Sequence, residues 1–409
     1  MAKINILDNN IKLEGKRVLL RVDFNVPLNN GSITETSRIE KVLPTIKFLL
    51  DKKAKIIIIS HVGRPKGKIV PELSLEPIAK KLTNLLDQNI VFFKEITGSQ
   101  VIEKSKNISN GEIMLLENLR FHKEEELNSQ NFSKELSKLG DVYVNEAFSC
   151  SHRAHSSVSE ITNHINSFAG IQLIKEINAI KMLTENPTKP VSCIIGGSKI
   201  STKIDVLTNL IKKMDNIIIV GAMANNFIKY EKYEIGKSVY EKNTENLLES
   251  IVKESKKYNC RIIIPCDVIV SKNYKSKGKL KNLHEIDSSD LILDIGIKTV
   301  KTICEIIDNS KTVLWNGPAG YFEIDEFSQG SNKIAKKIAE NTKNKSLTSI
   351  AGGGDTVAAI NKFKCFDKFT YISTAGGAFL ELLEGKILPG IKALEKNEWI
   401  RKNCKTNSK

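Results

Sequence analysis

The sequence predicts an α/β protein of two halves, in each of which helices cover a parallel sheet. Short apolar runs alternate with segments of helical periodicity along the whole chain, which is the pattern of repeated strand–helix units. A run of helix breakers, NPTKP at 186–190, separates the halves, and 16 of the 24 glycines follow residue 190. A chain of 409 residues is long enough for two or three domains.

Composition narrows the class of protein. The chain is 41% apolar and 27% charged, which is typical of soluble globular proteins. The first ten residues lack the layout of a signal peptide, and no apolar run approaches the roughly 20 residues of a membrane span. The seven cysteines are scattered and form no CxxC pair, which argues against a disulfide framework and a zinc site. We therefore expect a cytoplasmic protein with no membrane partner.

The net charge of +15 suggests an anionic partner. Only eight of the 62 basic residues are arginines, and the 54 lysines are spread along the chain without an aromatic RNA-binding motif or a basic arm. We expect solvated lysine-rich faces and no nucleic-acid partner. Six of the eight arginines precede residue 154, so the first half is the richer in guanidinium groups.

The first half alternates strands and helices. Ser37 and Glu40 have the spacing of a capping box at the start of the first helix. The predicted elements are a strand over 16–26, a helix over 36–52, a strand over 56–59, a helix over 75–87, a strand over 112–117, a helix over 131–138 and a strand over 141–147.

Polar side chains follow these strands, at the carboxyl ends where parallel sheets bind ligands. They are Arg21, Asp23 and Asn25, then Ser60, His61, Gly63 and Arg64, then Asn118 and Arg120, and finally Ser151, His152 and Arg153. Arg38 lies in the first turn of its helix, where the helix dipole already favours anions, so an anionic ligand is expected there. The alternative is that each arginine pairs with a nearby carboxylate.

A connecting helix is predicted over 161–188, with the domain boundary at the breaker run. The stretch 190–203 then reads as strand, glycine turn, Lys199 and helix, which presents helix N–H groups to an anion. An ordinary βα turn with a surface lysine explains the same pattern. Further strand-and-turn segments are predicted at 216–223, 261–267, 312–320, 348–356 and 369–378.

None of these turns fits GxxxxGK[ST] or GxGxxG, although several of them at one sheet edge can surround a nucleotide. The absence of GxGxxG disfavours a dehydrogenase. Asp355, directly after three glycines, is either a helix N-cap or a magnesium ligand beside a phosphate. Glu323 has a weaker case and is equally consistent with an exposed charge.

Eight motifs occur in an order that resembles the phosphoglycerate kinase family, and the resemblance covers nearly the whole chain. They are VDFNVP, SHVGRPKG, LLENLRF, SHRAH, GGSKIS, WNGPAGYFE, AGGGDT and STAGGA. The resemblance implies two Rossmann-like three-layer αβα domains joined by a hinge helix. It places a 3-phosphoglycerate-binding domain at 1–170, rejoined by 391–409, a hinge at 171–189 and a nucleotide-binding domain at 190–390.

The resemblance also implies the site residues. Those for the triose acid are Asp23, Asn25, Arg38, His61, Arg64, Arg120, His152 and Arg153. Those for the nucleotide are Lys199, Lys203, Gly221, Gly296, Asn316, Glu323, Gly352, Gly353, Gly354, Asp355 and Thr356, with Asp355 at Mg²⁺. Arg38, Lys199, Gly353 and Gly376 are the expected catalytic residues, and a monomer is expected.

The chain departs from the family pattern at four positions. Many members have Asp where Glu146 stands, Gly where Ala222 and Ala375 stand, and Gly near Ser149. None of these departures removes a charged site residue. The implied reaction moves a phosphoryl group between 1,3-bisphosphoglycerate and ADP, and neither nucleophile needs a general base, which agrees with a site rich in Arg, Lys and Gly.

Overall fold

The computed structural model describes residues 4–29, 32–185 and 187–396. The chain divides into two compact units, Met1–Ile177 with Ile387–Lys409, and Asn178–Lys386. The expected C-terminal return over 391–409 is described only as far as residue 396, and the rest of it lies outside the described residues.

The strands and helices alternate along both units. The strands are β1 Arg17–Arg21, β2 Leu28–Asn29, β3 Ser32–Ile33, β4 Lys55–Ile59, β5 Ile90–Phe93, β6 Ile113–Leu116, β7 Val142–Asn145, β8 Ser167–Ala169, β9 Val191–Gly196, β10 Asn216–Val220, β11 Arg261–Ile263, β12 Asp267–Ser271, β13 Lys279–Asn282, β14 Leu291–Ile295, β15 Thr312–Asn316, β16 Thr348–Gly352 and β17 Tyr371–Ser373. The helices are α1 Ser37–Asp51, α2 Glu76–Leu86, α3 Ser99–Asn107, α4 Lys123–Glu126, α5 Gln130–Ser137, α6 Ile171–Thr184, α7 Ile204–Ile211, α8 Ala222–Tyr230, α9 Glu245–Lys257, α10 Ile297–Asn309, α11 Gln329–Lys343, α12 Gly354–Lys362, α13 Gly377–Leu383 and α14 Pro389–Lys396.

The first unit is built on a six-stranded parallel sheet of order β5-β6-β4-β1-β7-β8. Successive residues of a strand face opposite sides of a sheet. Val18 and Leu20 accordingly belong to one buried cluster with Ile39 of α1, while Leu19 belongs to a second cluster with Leu136 of α5. Helices therefore cover both faces of this sheet, as the alternation of elements predicts.

The second unit has a six-stranded parallel sheet of order β11-β10-β9-β15-β16-β17. From β9 the chain moves outward to β10 and β11, whereas from β15 it moves the other way to β16 and β17. The crevice between such neighbouring strands is where open α/β sheets bind ligands. A separate antiparallel sheet of order β13-β12-β14 joins this unit, and the sequence pattern did not predict it.

Two local predictions are wrong. Ser37 does not cap α1, because the N-cap residue is Thr36, and Oε1 of Glu35 accepts the Ser37 N–H at 2.6 Å. The helix predicted over 161–188 is shorter, because Ser167–Ala169 forms β8 and α6 begins only at Ile171. The backbone N–H and C=O groups of β8 find hydrogen-bond partners by pairing with β7. This pairing outweighs the local helical pattern.

Among the described residues, no helix combines the length and the apolar character that a membrane crossing requires.

Candidate active site

A row of hydrogen bonds runs along the carboxyl edge of the first sheet. Arg38 Nη1 donates to Asp23 Oδ2 at 2.5 Å, and Asp23 Oδ1 accepts the Asn25 N–H at 3.0 Å. Asn25 Oδ1 accepts the Gly63 N–H at 2.9 Å, and the Gly63 carbonyl accepts from Arg120 Nη1 at 2.8 Å. Asp23 and Asn25 after β1, Gly63 after β4, Arg120 after β6 and Arg38 in the first turn of α1 are thereby brought together.

Asp23 is buried at the centre of this row. Burial by itself raises the pKa of its carboxyl, but the charge of Arg38 and hydrogen bonds from Ser149 and the Asn25 N–H act against burial and leave the pKa below its ordinary value. Asp23 is therefore ionised at neutral pH and fixes the Arg38 guanidinium in one place.

His61 is also buried here and is kept neutral. Burial, followed by the charge of Arg21, lowers the pKa of His61 well below its ordinary value. Arg21 Nη2 lies 3.2 Å from His61 Nδ1, so Arg21 donates to Nδ1 and the ring proton is placed on Nε2. His61 can then donate from Nε2 to an anion.

Arg21 itself has no exposed surface. Its Nε donates to Ser157 Oγ at 2.8 Å, and Ser157 Oγ in turn donates to Glu125 Oε1 at 2.6 Å. Nη1 of Arg21 donates to the Val22 carbonyl. Arg21 is a supporting residue beneath the edge, whereas the sequence pattern had placed it among the residues at the edge.

Asp23, His61 and Cys150 offer ligand atoms within 4.8 Å of one another. A metal ion at this position would lie against the guanidinium of Arg21, whose Nη2 is 3.2 Å from His61 Nδ1 and 3.7 Å from Cys150 Sγ. Repulsion between like charges favours an anion over a cation at this edge.

The remaining predicted arginines differ in their surroundings. Arg64 is exposed and has no hydrogen bond or ion pair within the described part of the chain, and Arg153 Nε contacts His152 Nε2 at 3.2 Å. Arg120 is buried, with its Nε 3.3 Å from Glu126. Pairing with carboxylates thus accounts for part of the arginine set, Arg38 and Arg120, and leaves Arg64 and Arg153 facing solvent.

In the second unit a cavity of about 320 Å³ opens at the carboxyl ends of β9, β10 and β15. Of the residues predicted to bind nucleotide, Gly221, Glu323 and Asp355 line it. Its remaining wall is largely apolar, and includes β14, Pro318 and Ala319. A mostly apolar cavity with a few polar groups is the usual form of a small-molecule site.

A second group of predicted residues is linked by hydrogen bonds beside the cavity. Asn316 Oδ1 accepts from Lys203 Nζ at 2.5 Å, and Asn316 Nδ2 donates to the Gly352 carbonyl at 2.6 Å. Gly353 has a φ of +100°, and a Cβ there would lie 2.7 Å from Asn316 Nδ2. Glycine at 353 is therefore required by both backbone conformation and space.

Thr356 belongs to the same group, because its Oγ1 accepts the Gly317 N–H at 2.7 Å. Lys199 is exposed, and no hydrogen bond of its ammonium group occurs among the described residues. Gly354 and Asp355 lie in the exposed first turn of α12. Gly296 and Gly376 precede α10 and α13 respectively.

The phosphoglycerate kinase family model matches residues 8–386. The chain belongs to the phosphoglycerate kinase family. It is similar to the phosphoglycerate kinase of Dictyoglomus turgidum, at 46% identity over 97% of this chain and 100% of that protein. It is also similar to that of Wolbachia pipientis subsp. Culex pipiens, at 47% identity over 92% of this chain and 96% of that protein.

Two solved structures are also similar to this fold. The structure of phosphoglycerate kinase from Coxiella burnetii has a TM-score of 0.87 and 40% identity, and covers 94% of this chain and 97% of its own. The structure of phosphoglycerate kinase from Pyrococcus horikoshii OT3 has a TM-score of 0.81 and 30% identity, and covers 96% of this chain and 99% of its own.

The chain is accordingly a phosphotransferase with a carboxyl group as acceptor, EC 2.7.2.3. It catalyses reversible phosphoryl transfer from 1,3-bisphosphoglycerate to ADP, which gives 3-phosphoglycerate and ATP in glycolysis and gluconeogenesis. Its substrates are therefore a phosphoglycerate and a nucleotide.

Several residues of these two edges escaped prediction from the phosphoglycerate kinase motifs. Ser149 donates a hydrogen bond to Asp23. Tyr274 and Tyr321 both line the cavity, with ring centroids 5.2 Å apart. Asp294 also lines it and is 2% exposed. The apolar residues before Asp294 were the available signal, since they indicate a strand that ends at the cavity.

Proposed function

We propose that the first unit binds the triose acid and the second binds the nucleotide. The observation that carries this division is the row from Arg38 to Arg120, which fixes two guanidinium groups at one sheet edge, while Arg64 and Arg153 are exposed and form no ion pair with the residues that the structure describes. The triose-acid residues would be Asp23, Asn25, Arg38, His61, Arg64, Arg120, His152 and Arg153.

The strength of such a set of contacts is adequate for a small anion. Hydrogen bonds to charged groups contribute about 1.5–3 kcal/mol each, so one from each of the four arginines of this set gives roughly 6–12 kcal/mol. Association of two molecules costs an estimated ~4–15 kcal/mol, and tight apolar burial is then unnecessary. A phosphorylated carboxylic acid offers the oxygens that these donors require.

In the second unit the nucleotide would lie in the cavity, with its phosphates near the glycine turns. The residues that we propose for it are Lys199, Lys203, Gly221, Gly296, Asn316, Glu323, Gly352, Gly353, Gly354, Asp355 and Thr356. Mg²⁺ usually takes one or two carboxylates and shares the phosphate oxygens. Asp355 fits that role because its carboxyl is exposed, lines the cavity and follows the glycine turn.

The chemistry would consist of positioning and charge neutralisation. Neither a carboxylate nor a diphosphate oxygen has a proton to lose at neutral pH, so no general base is needed. We assign neutralisation of the moving phosphoryl oxygens to Arg38 and Lys199, one from each unit, and backbone N–H contacts to Gly353 and Gly376. Mg²⁺ would supply further neutralisation when bound.

One experiment tests the reaction directly. The protein is incubated with ATP, Mg²⁺ and 3-phosphoglycerate, and the acyl phosphate is trapped with hydroxylamine. Hydroxamate is expected, and the same reaction with EDTA in excess over Mg²⁺ should give none. Well-folded protein that yields no hydroxamate would contradict the proposal.

A substitution tests the role of Lys199. Lys199→Ala should lower kcat far more than it raises the KM for nucleotide, since a contact made mainly in the transition state contributes to kcat. Lys212→Ala is the matched control, because Lys212 is also an exposed lysine of this unit but follows the far end of α7. A change in nucleotide KM alone would show that Lys199 only binds substrate.

We further propose that the enzyme is a cytoplasmic monomer. A monomer is what the family resemblance implies, and the substrates of glycolysis are dissolved metabolites. Sedimentation at micromolar concentration tests the monomer, since a dimer would nearly double the mass from 45.7 kDa.

A further inference from the structure

Asp294 has a position that the assigned roles do not use. It lies in β14, and Leu291 to Ile295 of this strand all line the nucleotide cavity. Only 2% of Asp294 is exposed, so a potentially charged carboxyl is placed in the wall of a largely apolar cavity. Burying such a group is costly unless hydrogen bonds compensate.

The compensation comes from three backbone N–H groups, two of which are at the start of α11. Asp294 Oδ2 accepts the Gly330 N–H at 2.8 Å, and Oδ1 accepts the Ile295 N–H at 2.9 Å. The Gln329 N–H is a third donor. The carboxyl therefore holds the first turn of α11 against β14.

A neighbouring part of the cavity wall, residues 318–323, depends on the same two elements. The Tyr321 N–H donates to the Leu293 carbonyl of β14 at 2.7 Å, and the Ala319 N–H donates to Ser331 Oγ of α11 at 2.8 Å. If α11 moved away from β14, these two contacts could not both persist. Asp294 thus joins the elements that together hold this wall.

The space around Asp294 is fitted to its carboxyl. A Cβ at Gly320 or at Gly330 would collide with Asp294 Oδ1. Burial raises the pKa of Asp294 to about 7, while the N–H groups of Gly330, Ile295 and Gln329 act in the opposite direction.

We infer that Asp294 is a positioning residue for the nucleotide, which sets the width of the cavity by fixing α11 and residues 318–323 on β14. This inference rests on the proposed function, because it takes the cavity to be the nucleotide site. It predicts an effect on nucleotide binding that leaves the chemical step and the triose-acid site intact.

The test compares steady-state kinetics of Asp294→Ala, Asp294→Asn and the unchanged enzyme. Asp294→Ala should raise the KM for ADP and for ATP about tenfold and leave kcat and the KM for 3-phosphoglycerate within about twofold. Asp294→Asn should be intermediate, since an amide keeps one acceptor oxygen. Asp215→Asn is the control, because Asp215 also accepts a backbone N–H, that of Val191, but at the amino end of β9.

Two results would overturn the inference. One is an unchanged nucleotide KM in folded Asp294→Ala. The other is a fall in kcat with every KM unchanged, because this indicates a loss of active molecules. If Asp294→Ala does not fold, Gly330→Ala displaces the carboxyl while keeping it, and should give the same rise in nucleotide KM. An unchanged KM there overturns the inference as well. If unchanged enzyme shows no saturation with ADP, the proposed function fails instead.

Discussion

The buried carboxyl of Asp294 should make the stability of the second unit depend on pH. Its pKa is about 7 in the folded protein and 3.8 as an ordinary aspartate. The folded state therefore holds this proton more tightly than the unfolded chain does. Its contribution to stability is fully present below about pH 4 and is lost as pH rises to about 7.

The size of the effect follows from the two pKa values. At about 1.36 kcal/mol for each pKa unit, the difference between 3.8 and about 7 corresponds to about 4 kcal/mol. Asp294→Asn removes the titration, because an amide does not ionise. Part of the Asp294 contribution is already lost at pH 4.5, so the free energy of unfolding of the unchanged protein minus that of Asp294→Asn should fall by about 3 kcal/mol between pH 4.5 and pH 8.

Urea unfolding at several pH values measures this difference. Trp315 is fully buried in the core of the second unit, so its fluorescence reports on that unit. The sequence has two tryptophans, and Trp399→Phe in every variant leaves Trp315 as the sole indole. A difference that stays constant within about 0.5 kcal/mol across this pH range would refute the reasoning, since it would mean that Asp294 titrates alike in both states.

Two further predictions concern the cavity of the second unit. Tyr321→Ala should weaken ADP binding about fivefold or more, because stacking of a base on an aromatic ring contributes about 1–3 kcal/mol. Calorimetric titration with ADP measures the affinity. Tyr258 is similarly exposed but lies outside the cavity lining, so Tyr258→Ala should leave the affinity for ADP unchanged. Thr356→Val removes the acceptor of the Gly317 N–H and should cost about 1–3 kcal/mol of unfolding free energy. Thr356→Ser keeps the hydroxyl and should therefore retain most of the stability. Equal losses of unfolding free energy in both variants would show that the hydrogen bond is unimportant.

The alternation of apolar runs was enough to predict the fold class. Continuous apolar runs such as residues 56–59 occur where a strand is buried on both faces, and this is a strong local signal for a parallel sheet. Strand β13 of the antiparallel sheet gave no such signal, because it is KLKN, with Lys279 and Leu280 exposed. Its stability comes from pairing with β12, which lies eight or more residues away along the chain.

Candidate site residues were identified most readily where residue type and strand end coincide. Asp23, Asn25 and Arg120, which follow strands, are joined at one edge to Arg38 of α1, with Gly63 linking Asn25 to Arg120. Which arginines are exposed could not be predicted, since burial depends on residues that are distant in the sequence. Burial of Arg21 depends on Ser157, which is 136 residues away.

The structure also explains why an acidic residue at a strand end is a poor indicator of ligand binding by itself. Glu146 follows β7 and accepts the N–H groups of Gln172 and Leu173 at the start of α6, each at 2.9 Å. Asp267 of β12 does the same for Lys298 and Thr299 of α10, at 2.9 and 2.8 Å.

Asp294 likewise accepts N–H groups at the start of α11. In all three cases the carboxyl lies close to a glycine, and a Cβ at that glycine would collide with it; these are Gly170, Gly296 and Gly330. The first N–H groups of a helix have no partner within it, so a buried carboxylate is a strong acceptor there. Asp355 differs, because it lies within α12 and is exposed. An exposed carboxyl that the fold does not use is the better candidate for Mg²⁺, and this contrast favours the magnesium role of Asp355 over that of an N-cap.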